Sequence, residues 1–184
     1  MKLEVIIAST RPGRVVLPVG QWFFDFAKTQ GQFEVSLADL KEIDLPFLDE
    51  PKHPRLQQYE HEHTKQWAAR IDAADAFVVV TPEYNFSAPA PLVNAFDFVY
   101  KEWNHKPIGF VSYGGVSGGT RGVQVSRNIA AALNMMAIPE GIHIPFVQKF
   151  LQDGKFVPNE ETTKGAELML AQLFKWATAM KALR

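Results

Sequence analysis

Two short apolar runs, each followed at once by a loop of turn-forming residues, constrain the fold of this chain most. Leu3–Ala8 precedes a loop at 9–14, and Ala76–Thr81 precedes a loop at 82–85. A short apolar run bounded by turn residues is typical of a strand buried on both faces. Ligands bind beyond the carboxyl ends of the strands in open parallel sheets. Both loops are therefore predicted to open onto one crevice.

Helix-like segments alternate with strand-like ones along the rest of the chain. Strands are predicted at 2–9, 33–40, 76–81, 107–113 and 141–147, and helices at 16–30, 59–74, 91–100, 120–136 and 160–183, with 41–56 mostly loop. This alternation predicts an α/β fold with a doubly wound parallel sheet. Five strands, with no G-x-G-x-x-G after the first, favour the flavodoxin-like three-layer order 2-1-3-4-5. Its switch point lies between the first and third strands, where the two loops are.

The charge balance and the lack of cysteine exclude several classes of function. Nineteen basic and twenty acidic residues leave a net charge of −1, which gives no field for binding nucleic acid or an anionic membrane. Without cysteine, any redox chemistry must belong to a bound cofactor. No signal peptide is recognised, and no apolar run approaches the roughly 20 residues that span a bilayer. We expect a cytoplasmic protein with one domain over 1–184.

The loop after the first strand has the composition of a phosphate site. It lies at a helix N-terminus, where unpaired N–H groups and the helix dipole favour an anion. Ser9 and Thr10 offer hydroxyl donors, Arg11 offers a planar fork, and Gly13 permits a positive φ. The loop lacks the G-x-x-x-x-G-K-[ST] pattern, so a triphosphate is not expected. The alternative is an ordinary capped turn with solvated arginines.

Two later loops contain the residues of a slot for a flat ring. Pro82 stops the third strand, Asn85 tolerates turn geometry, and Tyr84 offers an aromatic wall. The third wall is predicted from the end of the fourth strand and the glycine-rich turn after it: Ser112, Tyr113, Gly114, Gly115 and Gly118. The glycines among them allow the backbone to approach a ligand closely. A polar loop that leads into a helix is the alternative for 82–85.

Four motifs, in this order, resemble those of the NADPH-dependent FMN reductase family. They are A-S-T-R-P-G-R at 8–14, P-E-Y-N-F-S-A-P-A-P-L-V-N-A-F-D at 82–97, E-W-x-x-K-P at 102–107, and V-S-Y-G-G-V-S-G-G-T-R at 111–121. The resemblance covers about 2–133 and is weak beyond 141. Ala8 stands where the family usually has glycine, and Val93 where many members have lysine.

The resemblance implies a flavodoxin-like fold, FMN as cofactor, and NADPH (or NADH) as hydride donor. A small-molecule acceptor would follow in a ping-pong reaction: free flavin, a quinone, an azo compound or a metal oxyanion. The flavin carries the chemistry, so no catalytic side chain and no metal are expected. Family members are typically dimers or tetramers with the flavin near the subunit interface. A homodimer or homotetramer is therefore expected, and the broad apolar surface of the last predicted helix agrees with this.

The resemblance also assigns cofactor-binding residues. The FMN phosphate is assigned to the residues of the first loop: Ser9, Thr10, Arg11, Gly13 and Arg14. For Arg14 three roles are open: the FMN phosphate, the second phosphate of NADPH, or contact with water alone. The flavin ring is assigned to the later loops, which would contact it largely through backbone groups: Pro82, Glu83, Tyr84, Asn85, Ser112, Tyr113, Gly114, Gly115 and Gly118.

Two other functions compete with the reductase. A flavodoxin-like electron carrier, or an FMN-binding module, would bind flavin without reacting with NADPH. A serine hydrolase would use Ser117, which lies in a G-x-S-x-G match between a strand and a helix. His143 follows, but the only acidic residue between them is Glu140, a poor third member of a triad.

Two other features have structural explanations. His61 and His63 are expected on different sides of a solvated helix start, because residues two apart on a helix do not face each other. Trp103 is as plausible in the core as in the pocket.

Overall fold

A parallel sheet of five strands in the order β2-β1-β3-β4-β5 is the frame of the protein. The computed structural model describes residues 1–184. The strands are β1 Lys2–Ile7, β2 Glu34–Asp39, β3 Ala76–Pro82, β4 Pro107–Gly114 and β5 Met136–Pro145, and a two-stranded hairpin follows with β6 Leu151–Gln152 and β7 Lys155–Phe156. The helices are α1 Val16–Thr29, α2 Leu40–Ile43, α3 Glu62–Ala73, α4 Ala90–Asp97, α5 Thr120–Ala132 and α6 Glu160–Met180. This strand order confirms the flavodoxin-like prediction.

Helices cover both faces of the sheet, which gives three layers. One core cluster joins α1 and α6 to one face, and a second joins α3, α4 and α5 to the other. The central strand β3 is buried at every position, as expected for a strand covered on both sides. Trp103 is fully buried against Phe77 and Phe96, so it belongs to the core. None of the helices has both the length and the apolar character to cross a bilayer.

The register of the strands brings the ends of β1, β2, β3 and β4 together. Ile7, the last residue of β1, lies opposite Asp39 in β2 and Val80 in β3. Pro82, at the end of β3, lies opposite Tyr113 in β4. The loops after β1, β3 and β4 therefore leave the same edge of the sheet.

Helix α1 packs closely enough on β1 to require a glycine. A Cβ at Gly20 would lie 2.7 Å from the Cδ1 atom of Ile7. Because the helix lies so close to the strand, its N-terminus at Val16 is held beside the end of β1. The loop at 8–15 is thereby confined to this edge of the sheet.

The largest differences from the predicted elements lie near β5. Helix α5 ends at Ala132, because Asn134 adopts a left-handed conformation with φ of 55°. Strand β5 then begins at Met136 rather than at 141. The early start was missed because Pro139 argues against a strand at this point. β5 is an edge strand, however, where proline is tolerated. The hairpin of β6 and β7 and the short helix α2 were not predicted.

Candidate functional site

The loops after β1, β3 and β4 enclose one cavity of about 280 Å³ at the carboxyl edge of the sheet. The turn after β5 adds Val147 and Gln148 to its wall. The lining residues are Arg11, Gly13, Arg14, Val15, Pro82, Glu83, Tyr84, Tyr113, Gly114, Gly115, Val147 and Gln148. Most of the predicted site residues therefore lie together around one cavity.

Larger cavities also lie elsewhere on the surface. One of about 710 Å³ lies between α1 and the β6–β7 hairpin and is mainly apolar. Another of about 660 Å³ lies between α2 and α4 and includes Thr10 in its wall. Size alone does not identify a ligand site, because convergent polar groups are needed to orient the ligand. Those groups converge at the smaller cavity.

Arg11 is the exposed cation of the first loop. Its backbone N–H is directed at the Oγ of Ser9, 3.4 Å away, while its side chain is exposed and lines the cavity. Gly13 has a φ of 67°, which confirms the positive φ expected there. The loop thus turns sharply and leaves one guanidinium available for an anion.

Arg14 is held very differently from Arg11. Its guanidinium donates to the Ser9 carbonyl at 2.7 Å and to both carboxylate oxygens of Asp39. The two side chains are only 8% and 11% exposed, so Arg14 is not in contact with water alone. Its role as a phosphate ligand stays a prediction. What the structure shows is a brace that ties the first loop to the end of β2.

Asp39 is the partner that sequence reasoning missed. It is the last residue of β2, and its carboxylate also accepts from the Lys41 backbone N–H at 3.0 Å, at the start of α2. The only sequence signal was an acidic residue at the predicted end of a strand beside the switch point. Val15, Val147 and Gln148 were missed as well, since no motif marks them.

A hydrogen bond between Ser9 and Tyr84 connects the first loop to the second. The Ser9 Oγ and the Tyr84 hydroxyl lie 2.8 Å apart, and Ser9 is fully buried. The Ser9 hydroxyl therefore meets Tyr84 rather than open solvent. Thr10 also lies outside the site cavity, in the wall of the neighbouring one. Their assignment to the phosphate stays a prediction.

The second loop ends in a two-residue hairpin turn. Tyr84 and Ser87 exchange backbone hydrogen bonds of 3.0 and 2.8 Å, and the two residues between them both have positive φ, 50° at Asn85 and 66° at Phe86. Turns of this kind prefer asparagine at the first of the two positions. Asn85 therefore shapes the turn, as its predicted tolerance of turn geometry requires, while its side chain is exposed.

Glu83 connects the second loop to the third. Its carboxylate accepts from the Ser117 hydroxyl at 3.0 Å, from the Arg121 Nε at 2.6 Å and from the Arg121 backbone N–H at 3.0 Å. Burial alone would raise the pKa of the Glu83 carboxyl, but these hydrogen bonds and one from the Gly122 N–H hold it below its usual value. An ionised carboxylate thus caps the start of α5 and locks two loops together.

The third loop lines the cavity with its first glycines and packs on the protein with its later ones. A Cβ at Gly115 would meet nothing within 4 Å, so this stretch is open to a ligand. A Cβ at Gly118, by contrast, would lie 3.1 Å from the Pro145 nitrogen. Ser112 is also buried and donates to the Gly118 carbonyl at 2.8 Å. Gly118 and Ser112 therefore stabilise the loop through packing and hydrogen bonding within the protein.

No serine-hydrolase triad forms at this loop. The Ser117 hydroxyl donates to Glu83, not to a histidine. His143 instead places its Nδ1 2.7 Å from the Ser112 Oγ. A nucleophile needs its base within hydrogen-bond reach, so the G-x-S-x-G match has no catalytic partner.

The two histidines near α3 are not separated, and that expectation was wrong. His61 precedes the helix in an extended conformation, so helix geometry does not apply to it. The His61 and His63 rings stack with centroids 5.2 Å apart, and His63 Nε2 lies 3.0 Å from Asp49.

The cavity fits FMN on the evidence of its own residues. A guanidinium without an acidic partner lines it, next to the N-terminus of α1. Tyr84, Tyr113 and the open backbone at Gly115 line it as well. Burial raises the pKa of Tyr113 above its usual value, so its phenol stays protonated. A phosphate and a flat, partly polar ring are the groups that such an arrangement accommodates.

Comparison with known proteins agrees with this fit. The family model of the NADPH-dependent FMN reductases matches residues 1–148. An NAD(P)H-dependent FMN reductase of Schizosaccharomyces pombe is 37% identical over 89% of this chain and 82% of its own length. An NADPH azoreductase of Bacillus sp. is 29% identical over 78% of this chain and 79% of its own length. The flavoenzyme FerB, an NAD(P)H:(acceptor) oxidoreductase of Paracoccus denitrificans, has the same fold, with a TM-score of 0.75, 24% identity, and coverage of 97% of this chain and 98% of its own.

The fold and the cavity together define a flavodoxin-like flavoprotein. The chain belongs to the NADPH-dependent FMN reductase family. It is therefore an oxidoreductase that works with FMN and NAD(P)H.

The Glu83 network leads to a prediction about stability and pH. Glu83→Gln should lower the free energy of unfolding by about 1–3 kcal/mol at pH 7, because the network loses its negative charge and an NH2 donor replaces one of the two acceptor oxygens. The folded pKa lies below the ordinary 4.5. The carboxylate therefore contributes its stabilisation in full above pH 4.5 and loses it as the pH falls through the folded pKa.

Urea unfolding of wild type and variant at pH 7, 4 and 3 measures this difference. The gap between them should shrink towards pH 3. Glu167→Gln is the matched control, since Glu167 is an exposed acid on α6 and should show no gap. A gap for Glu83→Gln that is constant from pH 7 to pH 3 would contradict the assignment.

Proposed function

We propose that this protein transfers electrons from NADPH through FMN, bound in the 280 Å³ cavity, to a small acceptor by a ping-pong mechanism. The observation that carries the proposal is the joining of three loops around one cavity, with the free Arg11 guanidinium in its wall. Free flavin, quinones, azo compounds and metal oxyanions are the acceptor classes. The azoreductase relative supports azo compounds among these classes.

The first loop would bind the FMN phosphate. Arg11 supplies a free planar fork, and the backbone N–H groups at the start of α1 add the positive end of the helix dipole. Arg14 is neutralised by Asp39, so it contributes mainly by holding the loop closed. The phosphate would thus meet one free cation and one rigid backbone.

The second and third loops would hold the flavin ring. Tyr84 is fixed by its bond to Ser9, and Gly115 leaves the backbone open to the ring edge. Because the Glu83 network locks these loops to each other, the width of the slot is set before any ligand arrives. A rigid slot lowers the entropic cost of binding.

The proposed reaction requires no side-chain acid or base. The Tyr113 phenol stays protonated, and the Glu83 carboxylate is committed to four hydrogen bonds. Bound FMN would supply the redox chemistry by accepting a hydride from NADPH and passing its electrons to the acceptor. The protein would bind, orient and exclude water. Such a reaction, fed by NADPH, fits a cytoplasmic location.

Anaerobic absorption spectroscopy tests the proposal. FMN is added to the purified protein, and the spectrum is recorded before and after NADPH. A bound-flavin spectrum that bleaches within seconds, followed by parallel double-reciprocal plots for NADPH and quinone, is expected because donor and acceptor share one site. Flavin binding without bleaching would favour the electron-carrier alternative. No flavin binding would overturn the proposed site.

Arg11→Ala should weaken FMN binding by about 1.5–3 kcal/mol, the scale of a hydrogen bond to a charged group. Riboflavin, which lacks the phosphate, should bind wild type and variant equally. Fluorescence titration with both ligands measures the difference. Arg55→Ala is the control, because Arg55 is an exposed arginine that stacks on Tyr100, away from the cavity. Unchanged FMN affinity in Arg11→Ala would refute the phosphate assignment.

We further propose that the protein is a homodimer or a homotetramer and that Phe47 lies in the interface. Asn94 on α4 clamps both neighbours of Phe47: it donates to the Pro46 carbonyl at 2.7 Å and accepts from the Leu48 N–H at 3.0 Å. Phe47 is thereby held outwards and is 86% exposed. A second copy of the chain is the partner that would bury it, since Phe47 borders a 660 Å³ cavity in which apolar Leu40 and Leu45 lie beside polar Lys41 and Asp44, and a symmetric contact would place each Phe47 against the other copy's cavity.

The last helix, α6, offers less exposed apolar surface for an interface than its sequence suggests. Ala166, Met169, Leu170, Leu173 and Ala177 are buried within the chain. Of the remaining apolar positions, Leu168 is 54% exposed. The surface around Phe47 and the exposed face of α6 can therefore be compared by single substitutions, one in each.

Phe47→Ser should shift the protein towards monomers in sedimentation velocity, because an exposed aromatic anchor is lost. Leu168→Ser is the matched control and should leave the oligomer intact. Dissociation by Leu168→Ser alone would move the interface to α6. A monomeric wild type would overturn the proposal.

A further inference from the structure

Phe86 occupies a backbone position that does not suit it. It is the second residue of the two-residue turn between Tyr84 and Ser87, with a φ of 66°. Bulky side chains rarely adopt this left-handed conformation, and glycine is the residue that such turns favour here. The chain therefore carries backbone strain at this point.

Burial does not offset the strain. The Phe86 side chain is 65% exposed, so little apolar surface is removed from water. The Arg121 guanidinium lies over the ring, 3.8 Å from its centroid. Arg121 is in turn bound to the Glu83 carboxylate. The ring is thus held in place by a cation on one face.

This ring belongs to the loop that forms one side of the candidate site. Glu83 and Tyr84, three and two positions earlier in the chain, line the cavity. The start of α5 is pressed against the same turn, since a Cβ at Gly122 would lie 2.8 Å from the Ser87 carbonyl oxygen. The turn that carries Phe86 therefore cannot move without disturbing the start of α5 and the loops that form the site.

We propose that Phe86 is a specificity-determining residue whose free ring face stacks on planar aromatic electron acceptors such as quinones and azo compounds. The inference rests on the proposed function and adds a basis for choosing among acceptors. Aromatic rings prefer offset or edge contacts with each other, and the guanidinium fixes the ring for such a contact. Backbone strain that persists without compensating burial is typical of residues kept for ligand contact.

Substitution by glycine separates the ring from the strain. Phe86→Gly creates an Asn-Gly turn, so the melting temperature should rise while the aromatic contact is lost. The KM for 1,4-benzoquinone should increase roughly three- to tenfold, as expected for the loss of one aromatic contact. The KM for ferricyanide, an acceptor without an aromatic ring, should stay unchanged, as should the Kd for FMN. Phe86→Tyr keeps a ring and should retain the wild-type KM for benzoquinone.

Several outcomes would overturn the inference. Equal benzoquinone KM values for wild type and Phe86→Gly, or parallel increases for benzoquinone and ferricyanide, would remove the stacking role. Dissociation of the oligomer by Phe86→Gly in sedimentation velocity would make Phe86 a subunit contact instead. A wild type that oxidises no NADPH with either acceptor would overturn the proposed function as well, which distinguishes the two failures.

Discussion

The parallel pairing of β1 with β3 is the constraint on which the rest of the structure depends. Ile7 lies opposite Val80, so the chain leaves both strands at the same edge of the sheet. The pairing of Pro82 with Tyr113 adds the end of β4 to that edge. A ligand site at this edge follows from the topology, because parallel strands direct their connections over the faces of the sheet and leave the switch point open.

Polar contacts then convert three adjacent loops into one rigid site. Ser9 with Tyr84 joins the first loop to the second, Glu83 with Arg121 joins the second to the third, and Arg14 with Asp39 joins the first to β2. In each contact at least one partner is largely buried, where an unpaired polar group is costly. The side chains that look like ligands for an anion therefore divide into those that brace the loops and one, Arg11, that is free.

Much of this site could be predicted from the residues alone. The strand order, the crevice between the two loops and the positive φ at Gly13 followed from apolar runs, turn residues and motif order. The roles within the site did not follow. Nothing in the sequence distinguishes the roles of Arg14 and Arg11. Arg14 pairs with the carboxylate at the end of β2 and braces the loop, whereas Arg11 has no such partner and stays free. The start of β5 was missed because Pro139 is a strand breaker except at an edge, and an edge position is a property of the whole sheet.

The sequence by itself determined the fold class, the family and the three segments that meet at the site. Local patterns suffice for these, since apolar periodicity and turn residues act over a few neighbouring positions. Only the tertiary structure decided which polar groups pair with one another. Asp39, Val147 and Gln148 reach the site through contacts between residues far apart in the chain, and such contacts leave no local pattern in the sequence.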